Sequence, residues 1–171
     1  MSKILVAYYS RADENYVSGE LKYLPVGNTE RAARMIAQMT GGDLFEIRQA
    51  VPYSAAYNKC IAEAQRDQRE DARPPLAALP QDLGAYETVY LGYPNYWGTM
   101  PMAVFTFLGE CDLSGKVIRP FCTHEGSGMG RSEADLRRLC PEAELRPGLA
   151  LHGSGIDHAE ETVRRWVEKE K

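Results

Sequence analysis

Apolar runs alternate with amphipathic ones along this chain, and that alternation limits the possible folds more sharply than any composition figure. Residues 4–9, 88–93, 116–123 and 145–152 form four short apolar runs, and a weaker one, 43–47, follows Gly41-Gly42. Their lengths and β-branched, aliphatic and aromatic content predict strands. The runs at 4–9 and 116–123 are nearly continuous in such residues, as expected of strands covered on both faces. Between the runs lie patterns of helical period. Residues 29–39 place Ala32, Ala33, Ile36, Ala37 and Met39 on one face before the two glycines stop the helix. Residues 54–71 carry Ala55, Ala56, Cys60, Ile61 and Ala64, then a charged run from Arg66 to Asp71 that reads as a solvated face. Pro101 suits a first helical turn leading into Ala103, Val104, Phe107 and Leu108. A short helix is expected over 131–139, closed by Pro141, and a last one over 157–170. The latter opens on Asp157-x-x-Glu160, a variant of the capping box, and shows Val163, Trp166 and Val167 on one face.

Strand and helix therefore alternate five times, with no linker-like segment and no internal repeat. Such alternation predicts an α/β fold, a parallel sheet with helices on both faces joined by right-handed crossovers. The 171 residues suit a single domain spanning 1–171. In sheets of this kind ligands bind beyond the carboxyl ends of the strands, which directs attention to residues 10–28, 94–100 and 123–131. Several function classes are excluded at this level. The net charge of −4 is spread along the chain with no basic stripe, which argues against nucleic acid as a partner. No apolar stretch approaches a membrane span. The start, Met1-Ser2-Lys3-Ile4-Leu5-Val6, runs straight into a strand without a signal-peptide pattern, so a cytoplasmic location is expected. The cysteines, Cys60, Cys111, Cys122 and Cys140, form no CxxC pair, and three histidines are too few to complete a zinc site with them. No metal ligand is assigned. Small buried thiols are the expected state.

The three loops are unusual. After the first strand comes Ser10, then an excursion over residues 11–26, then Gly27-Asn28-Thr29 opening a helix. Small and hydroxyl residues at a helix start expose backbone N–H groups to an anion, although Gly-Asn-Thr serves equally well as a turn and cap. No Gly-Lys-Ser/Thr follows, so this is not a Walker A loop. After the third strand, Pro94-Asn95-Tyr96-Trp97-Gly98-Thr99-Met100-Pro101 places two adjacent aromatics in a loop, costly in water unless they cover something. After the fourth strand, Thr123-His124-Glu125-Gly126-Ser127-Gly128-Met129-Gly130 has three glycines in five positions, and its N–H groups are free to point inward.

Together the three loops resemble the flavodoxin-like family, in the branch with Y-Y-S…G-N-T, G-Y-P-x-x-W-G-T-M-P and P-F-x-T-H-x-G-S-G. The resemblance extends over nearly the whole chain. It implies a flavodoxin-like three-layer sandwich, a five-stranded parallel sheet of order 2-1-3-4-5, and FMN as cofactor. Ser10, Gly27, Asn28 and Thr29 would then hold the phosphate. Pro94, Asn95, Tyr96, Trp97 and Gly98 would line one side of the ring system, and Thr123, His124, Glu125, Gly126, Ser127 and Gly128 the other. Two departures stand out. The phosphate loop is long, and Val26 stands where a hydroxyl residue is common. The insertion carries Arg11, Tyr16, Lys22 and Tyr23, and a lid bringing Arg11 or Lys22 to the phosphate would compensate. His124 is a candidate hydrogen-bond donor or proton shuttle, and Glu125 a carboxylate able to oppose added negative charge on a reduced flavin. His152 and His158 read as structural or solvent-facing. Within the sheet, Pro147 fits an edge strand, whereas Pro120 in the interior fourth strand predicts a bulge or a missing ladder bond.

Three functions fit these residues: an electron carrier docking to a redox partner protein, an NAD(P)H-dependent reductase of a small quinone-like substrate, or a phosphate-binding regulatory module without flavin. The first two match the resemblance better than the third, and the sequence does not choose between them, nor between monomer and homodimer. No Ser-His-Asp set or paired-carboxylate constellation assembles, which agrees with chemistry supplied by a cofactor.

Overall fold

Period-two side-chain alternation is visible at once in the first strand, β1 (Lys3–Tyr8). Leu5, Ala7 and the following Tyr9 turn to one buried layer, Val6 and Tyr8 to the other. In the computed structural model, which describes residues 3–169, β1 lies between β4 (Asp43–Glu46) and β5 (Tyr86–Pro94), and β5 pairs with β6 (Val117–His124). All these pairings are parallel. The fifth predicted strand is broken. Its parts, β7 (Glu144–Leu145) and β8 (Leu149–His152), both pair with β6, so the sheet has six strands along the predicted path.

The break answers the question posed by Pro120. The β5–β6 register runs without a shift through Leu91 and Pro120, so there is no bulge on that side. The Ile118 carbonyl accepts from the Arg146 N–H on the other side, and Pro120, two residues on, presents its missing donor in the same direction. That is where the outer strand lapses, over residues 146–148, and where Pro147 sits. The expected missing bond is therefore present, and the bulge is not.

Helices cover both faces. α1 (Asn28–Thr40) and α5 (Glu160–Lys169) bury Ala32, Ala33, Ile36, Val163, Trp166 and Val167 against Val6, Tyr8, Tyr90 and Phe121. α3 (Met102–Glu110) and α4 (Ser132–Leu139) cover the opposite layer around Val89, Leu91, Tyr93 and Ile118. Burial of each large apolar side chain here contributes about 1.5–3 kcal/mol. α2 (Tyr57–Arg69) packs beside α3 and buries only Cys60 and Ala64. The Asp157-x-x-Glu160 cap does not form. Residues Gly153–His158 make a 3₁₀ turn, Asp157 pairs with Arg31 of α1, and α5 begins at Glu160. The last residue of the predicted 157–170 helix, and Met1 and Ser2 of the predicted start, lie outside the described residues.

The 11–26 insertion folds as a hairpin of its own, β2 (Asp13–Val17) with β3 (Glu20–Leu24), antiparallel and bonded to no other strand. Ser18 and Gly19 make its two-residue turn with φ of 52° and 84°, the signs of a type I′ connection. Among the described residues no helix is long and apolar enough to cross a membrane.

Candidate functional site

A cavity of about 430 Å³ opens at the carboxyl ends of the strands, within the size range of small-molecule sites. One end is the start of α1. Gly27 caps this helix without any side-chain bond, the Glu30 N–H donates to Ser10 Oγ at 3.0 Å, and the Arg31 N–H returns to the Gly27 carbonyl. Among the described residues the N–H groups of Asn28 and Thr29 have no acceptor, and the helix dipole adds to their pull on an anion. Only glycine fits at position 27, because a Cβ there would stand 2.3 Å from Ser10 Oγ and 2.5 Å from the Arg11 carbonyl. The Thr29 hydroxyl is buried against that of Thr123 at 2.7 Å, tying the helix start to the end of β6.

One flank is the loop after β5. Trp97 and Gly98 form a second two-residue turn with φ of 54° and 89°, closed by the paired backbone bonds between Tyr96 and Thr99. Asn95 braces it, accepting from the Gly98 N–H and donating to the Gly128 carbonyl, both at 2.9 Å. The two aromatics part company. Trp97 stays 45% exposed on the rim with its indole N–H on the Ile61 carbonyl, while Tyr96 packs edge-on against Tyr9. The Tyr96 hydroxyl is buried without a hydrogen-bond partner among the described residues. Burial raises the pKa values of Tyr9, Tyr96 and Cys60, the last despite the opposing pull of Arg11. That wall is neutral in the physiological range.

The other flank is the loop after β6. His124 Nδ1 accepts the Gly126 N–H at 2.8 Å, which places the proton of the neutral ring on Nε2. Burial and the neighbouring His152 lower the His124 pKa, with Glu125 opposing them. The glycine-loop amides are thus not all free for a ligand: that of Gly126 goes to the ring of His124. Gly126 and Gly128 do not line the cavity. Ser127 and Thr123 do, with Pro94, Asn95, Tyr96, Trp97, Gly98, His124, Glu125, Asn28 and Arg11. Ser10, Gly27 and Thr29 build the helix start without lining the cavity.

The insertion supplies the remaining wall, in a manner different from that expected. The Arg11 guanidinium donates to the carbonyls of Glu14, Ser54 and Ala55, so it anchors the hairpin base rather than reaching for an anion. Lys22 is exposed on β3 and lines nothing here. Tyr16 lines the cavity and stacks on Tyr57 at 6.2 Å between ring centroids. Asn15, Tyr57, Cys60, Ile61, Ala64 and Gly153 also line it, although the sequence reading assigned none of them to the site. The rule that ligands sit beyond strand ends applies equally to the loops after β4 and β8, and would have pointed to the start of α2 and to Gly153.

Comparison with known proteins agrees with this architecture. A family profile described as flavodoxin matches residues 3–170. No curated protein matches the sequence significantly. Among solved structures, a flavoprotein from Bacteroides eggerthii is 30% identical, with a TM-score of 0.80 over 99% of this chain and 98% of its own. One from Bacteroides uniformis is 29% identical, with a TM-score of 0.78 and 98% of each chain covered. A flavoprotein from Lactobacillus acidophilus, solved in complex with FMN, shares the fold at 19% identity, with a TM-score of 0.68 over 92% of this chain and 98% of its own.

Proposed function

Because this chain belongs to the flavodoxin family, we propose that it binds FMN in the cavity and transfers electrons through it. One observation carries the reading. A single cavity joins a bare helix N-terminus, suited to a phosphate, to an aromatic rim suited to a flat ring system. The N–H groups of Asn28 and Thr29, with Ser10 and Gly27 around them, would hold the phosphate. Trp97 and its loop would line one side of the ring system, and Thr123, His124 and Ser127 the other. Bound there, FMN supplies one- and two-electron redox chemistry. The protein's own residues orient it, exclude water and present a neutral His124 whose Nε2 carries a proton.

An FMN-dependent reductase of a small quinone-like acceptor is the second reading. Tyr16, Tyr57, Ile61 and Ala64 favour it, because they add an apolar wall that a ring system gripped from Trp97 and His124 does not require. Two titrations test both readings. FMN is expected to bind more tightly than riboflavin by at least tenfold, the worth of one charge-assisted hydrogen bond. Equal affinity would defeat the phosphate assignment, and no affinity for either would favour a module without flavin. Anaerobic addition of NADH or NADPH to the FMN-loaded protein then separates the two: prompt bleaching of the flavin band means a reductase, and a stable oxidised spectrum reducible by dithionite means a carrier awaiting a protein donor.

A further inference from the structure

Glu125 lies in a loop 107 residues from the hairpin tip, yet it accepts the backbone N–H of Ser18 on Oε1 at 2.7 Å. Its other oxygen, Oε2, accepts the N–H of Ser154 at 3.0 Å and lies 3.2 Å from His152 Nδ1. Three chain segments therefore meet on one carboxylate: the hairpin turn, the loop after β6 and the turn after β8. Room for it is made by Gly153, where a Cβ would stand 3.0 Å from Glu125 Oε2 and 2.7 Å from Asn28 Nδ2.

The rest of the hairpin is held at its other end. Arg11 pins the base to residues 54–55, and the Glu14 carboxylate accepts the Tyr57 N–H at the start of α2, at 2.7 Å. Midway, Tyr16 stacks on Tyr57. No strand of the main sheet pairs with β2 or β3. A hairpin fixed at its base, paired with no strand of the main sheet and bonded at its tip to one side chain across a cavity has the mechanics of a hinged cover.

We propose that Glu125 is a positioning residue that clasps the β2–β3 hairpin across the cavity, and that release of the Ser18 N–H from its carboxylate gates ligand entry and exit. The role differs from a direct contact to the ligand, because a gate slows arrival and departure alike. The part that concerns FMN rests on the reading above; the clasp itself does not.

Two measurements on Glu125→Ala and Glu125→Gln test it. In the ligand-free protein, residue-resolved amide exchange is expected to quicken at Ser18 by tenfold or more in Glu125→Ala, the factor for losing one hydrogen bond to a charged group. Core amides such as those of Val89 and Ile118 should be unchanged. Glu125→Gln keeps one acceptor oxygen and is expected to fall between the two, so the measurement survives if the alanine variant folds poorly. In stopped-flow mixing with FMN, association and dissociation should both accelerate by about tenfold in Glu125→Ala while Kd moves much less. Faster dissociation alone would make Glu125 a ligand contact and overturn the gate. Unchanged exchange at Ser18 would overturn the clasp. A wild-type protein without affinity for FMN would defeat the cofactor reading and leave the exchange measurement to decide the clasp.

Discussion

Two turns of nearly the same backbone stand on the cavity. Trp97-Gly98 and Ser18-Gly19 both have left-handed φ at both central residues, 54° and 89° in one, 52° and 84° in the other. Their attachment differs completely. The first continues β5, the strand most deeply set in the sheet, and is braced by Asn95 and by the Arg131 N–H on the Gly98 carbonyl. The second tops a hairpin outside the sheet, held at its tip through Glu125. One wall is bonded into the loops that continue the core strands, and the other is attached at its base by Arg11 and at its tip by one carboxylate. Local conformation does not decide stability here; what the turn is tied to does.

The sharpest way to break this comparison is the same substitution at both turns. Gly98→Val forces a β-branched residue into a left-handed conformation and drives its Cβ to 2.9 Å from the Arg131 guanidinium. A global loss of about 2–3 kcal/mol is expected in denaturant unfolding. Gly19→Val carries the same backbone penalty, but the hairpin relieves it by detaching, so the global midpoint should hardly move. Equal losses at the two sites would show that the hairpin unfolds with the core.

The next effect is side-chain pairing. Tyr93, fully buried in β5, donates to Ser132 Oγ at 2.9 Å. Ser132→Ala leaves that hydroxyl unpaired and should cost roughly 1–3 kcal/mol of global stability. Glu14→Ala removes the acceptor of the Tyr57 N–H, a loss of about 1 kcal/mol at the start of α2. That loss should appear as faster amide exchange at Tyr57 and in the hairpin, with little change in the unfolding midpoint. Global destabilisation by Glu14→Ala as large as by Ser132→Ala would remove the distinction.

The same division explains what could be read from the sequence. The alternation that predicted an α/β sheet is a property of residues buried between layers, such as Leu5, Val6, Val89 and Ile118, whose pattern must match the pleat. The Tyr96-Trp97 loop was visible because it follows such a strand closely, and the Gly27-Asn28-Thr29 start because small and hydroxyl residues there open a helix of clear period. The hairpin was not, although Tyr16-Val17-Ser18-Gly19-Glu20-Leu21 carries a turn signal, because its strands are short, largely exposed and without clean alternation. Arg11 looked like an anion ligand because sequence shows a charge and not its partners. Its three carbonyls lie at positions 14, 54 and 55, brought together only by the tertiary fold. The contacts of Glu125 were hidden for the same reason. Even the failed cap at Asp157 is of this kind: Arg31, on another helix, outcompetes the local backbone.

A third prediction separates the walls by kinetics. For the proposed FMN complex, Trp97→Ala should weaken binding by roughly 1 kcal/mol beyond lost area, about fivefold. Because the Trp97 turn is fixed to the core, the change should fall on dissociation, with the association rate unaltered. An accelerated association rate would mean that this wall also moves.

The smallest effect is set by pH, and it acts on the loop that carries the clasp. Burial and His152 hold the pKa of His124 below the ordinary 6.5. As pH falls through about 6.5, the unfolded chain takes up a proton on this ring before the folded chain does. Stability is therefore complete above that value and declines below it, down to the folded pKa. The proton, once bound, also converts Nδ1 from acceptor to donor and breaks its bond from the Gly126 N–H. Asp157 acts in the same direction but lower, below its ordinary 3.8, since Arg31 depresses its pKa. Denaturant midpoints between pH 7 and pH 5 should fall in the wild type and flatten in His124→Gln. Amide exchange at Ser18 should quicken over the same interval, because the loop that loses the Gly126 bond holds Glu125. A fall in stability without faster exchange at Ser18 would mean that the acid-sensitive loop and the hairpin tip are uncoupled, and that the cover opens on its own terms.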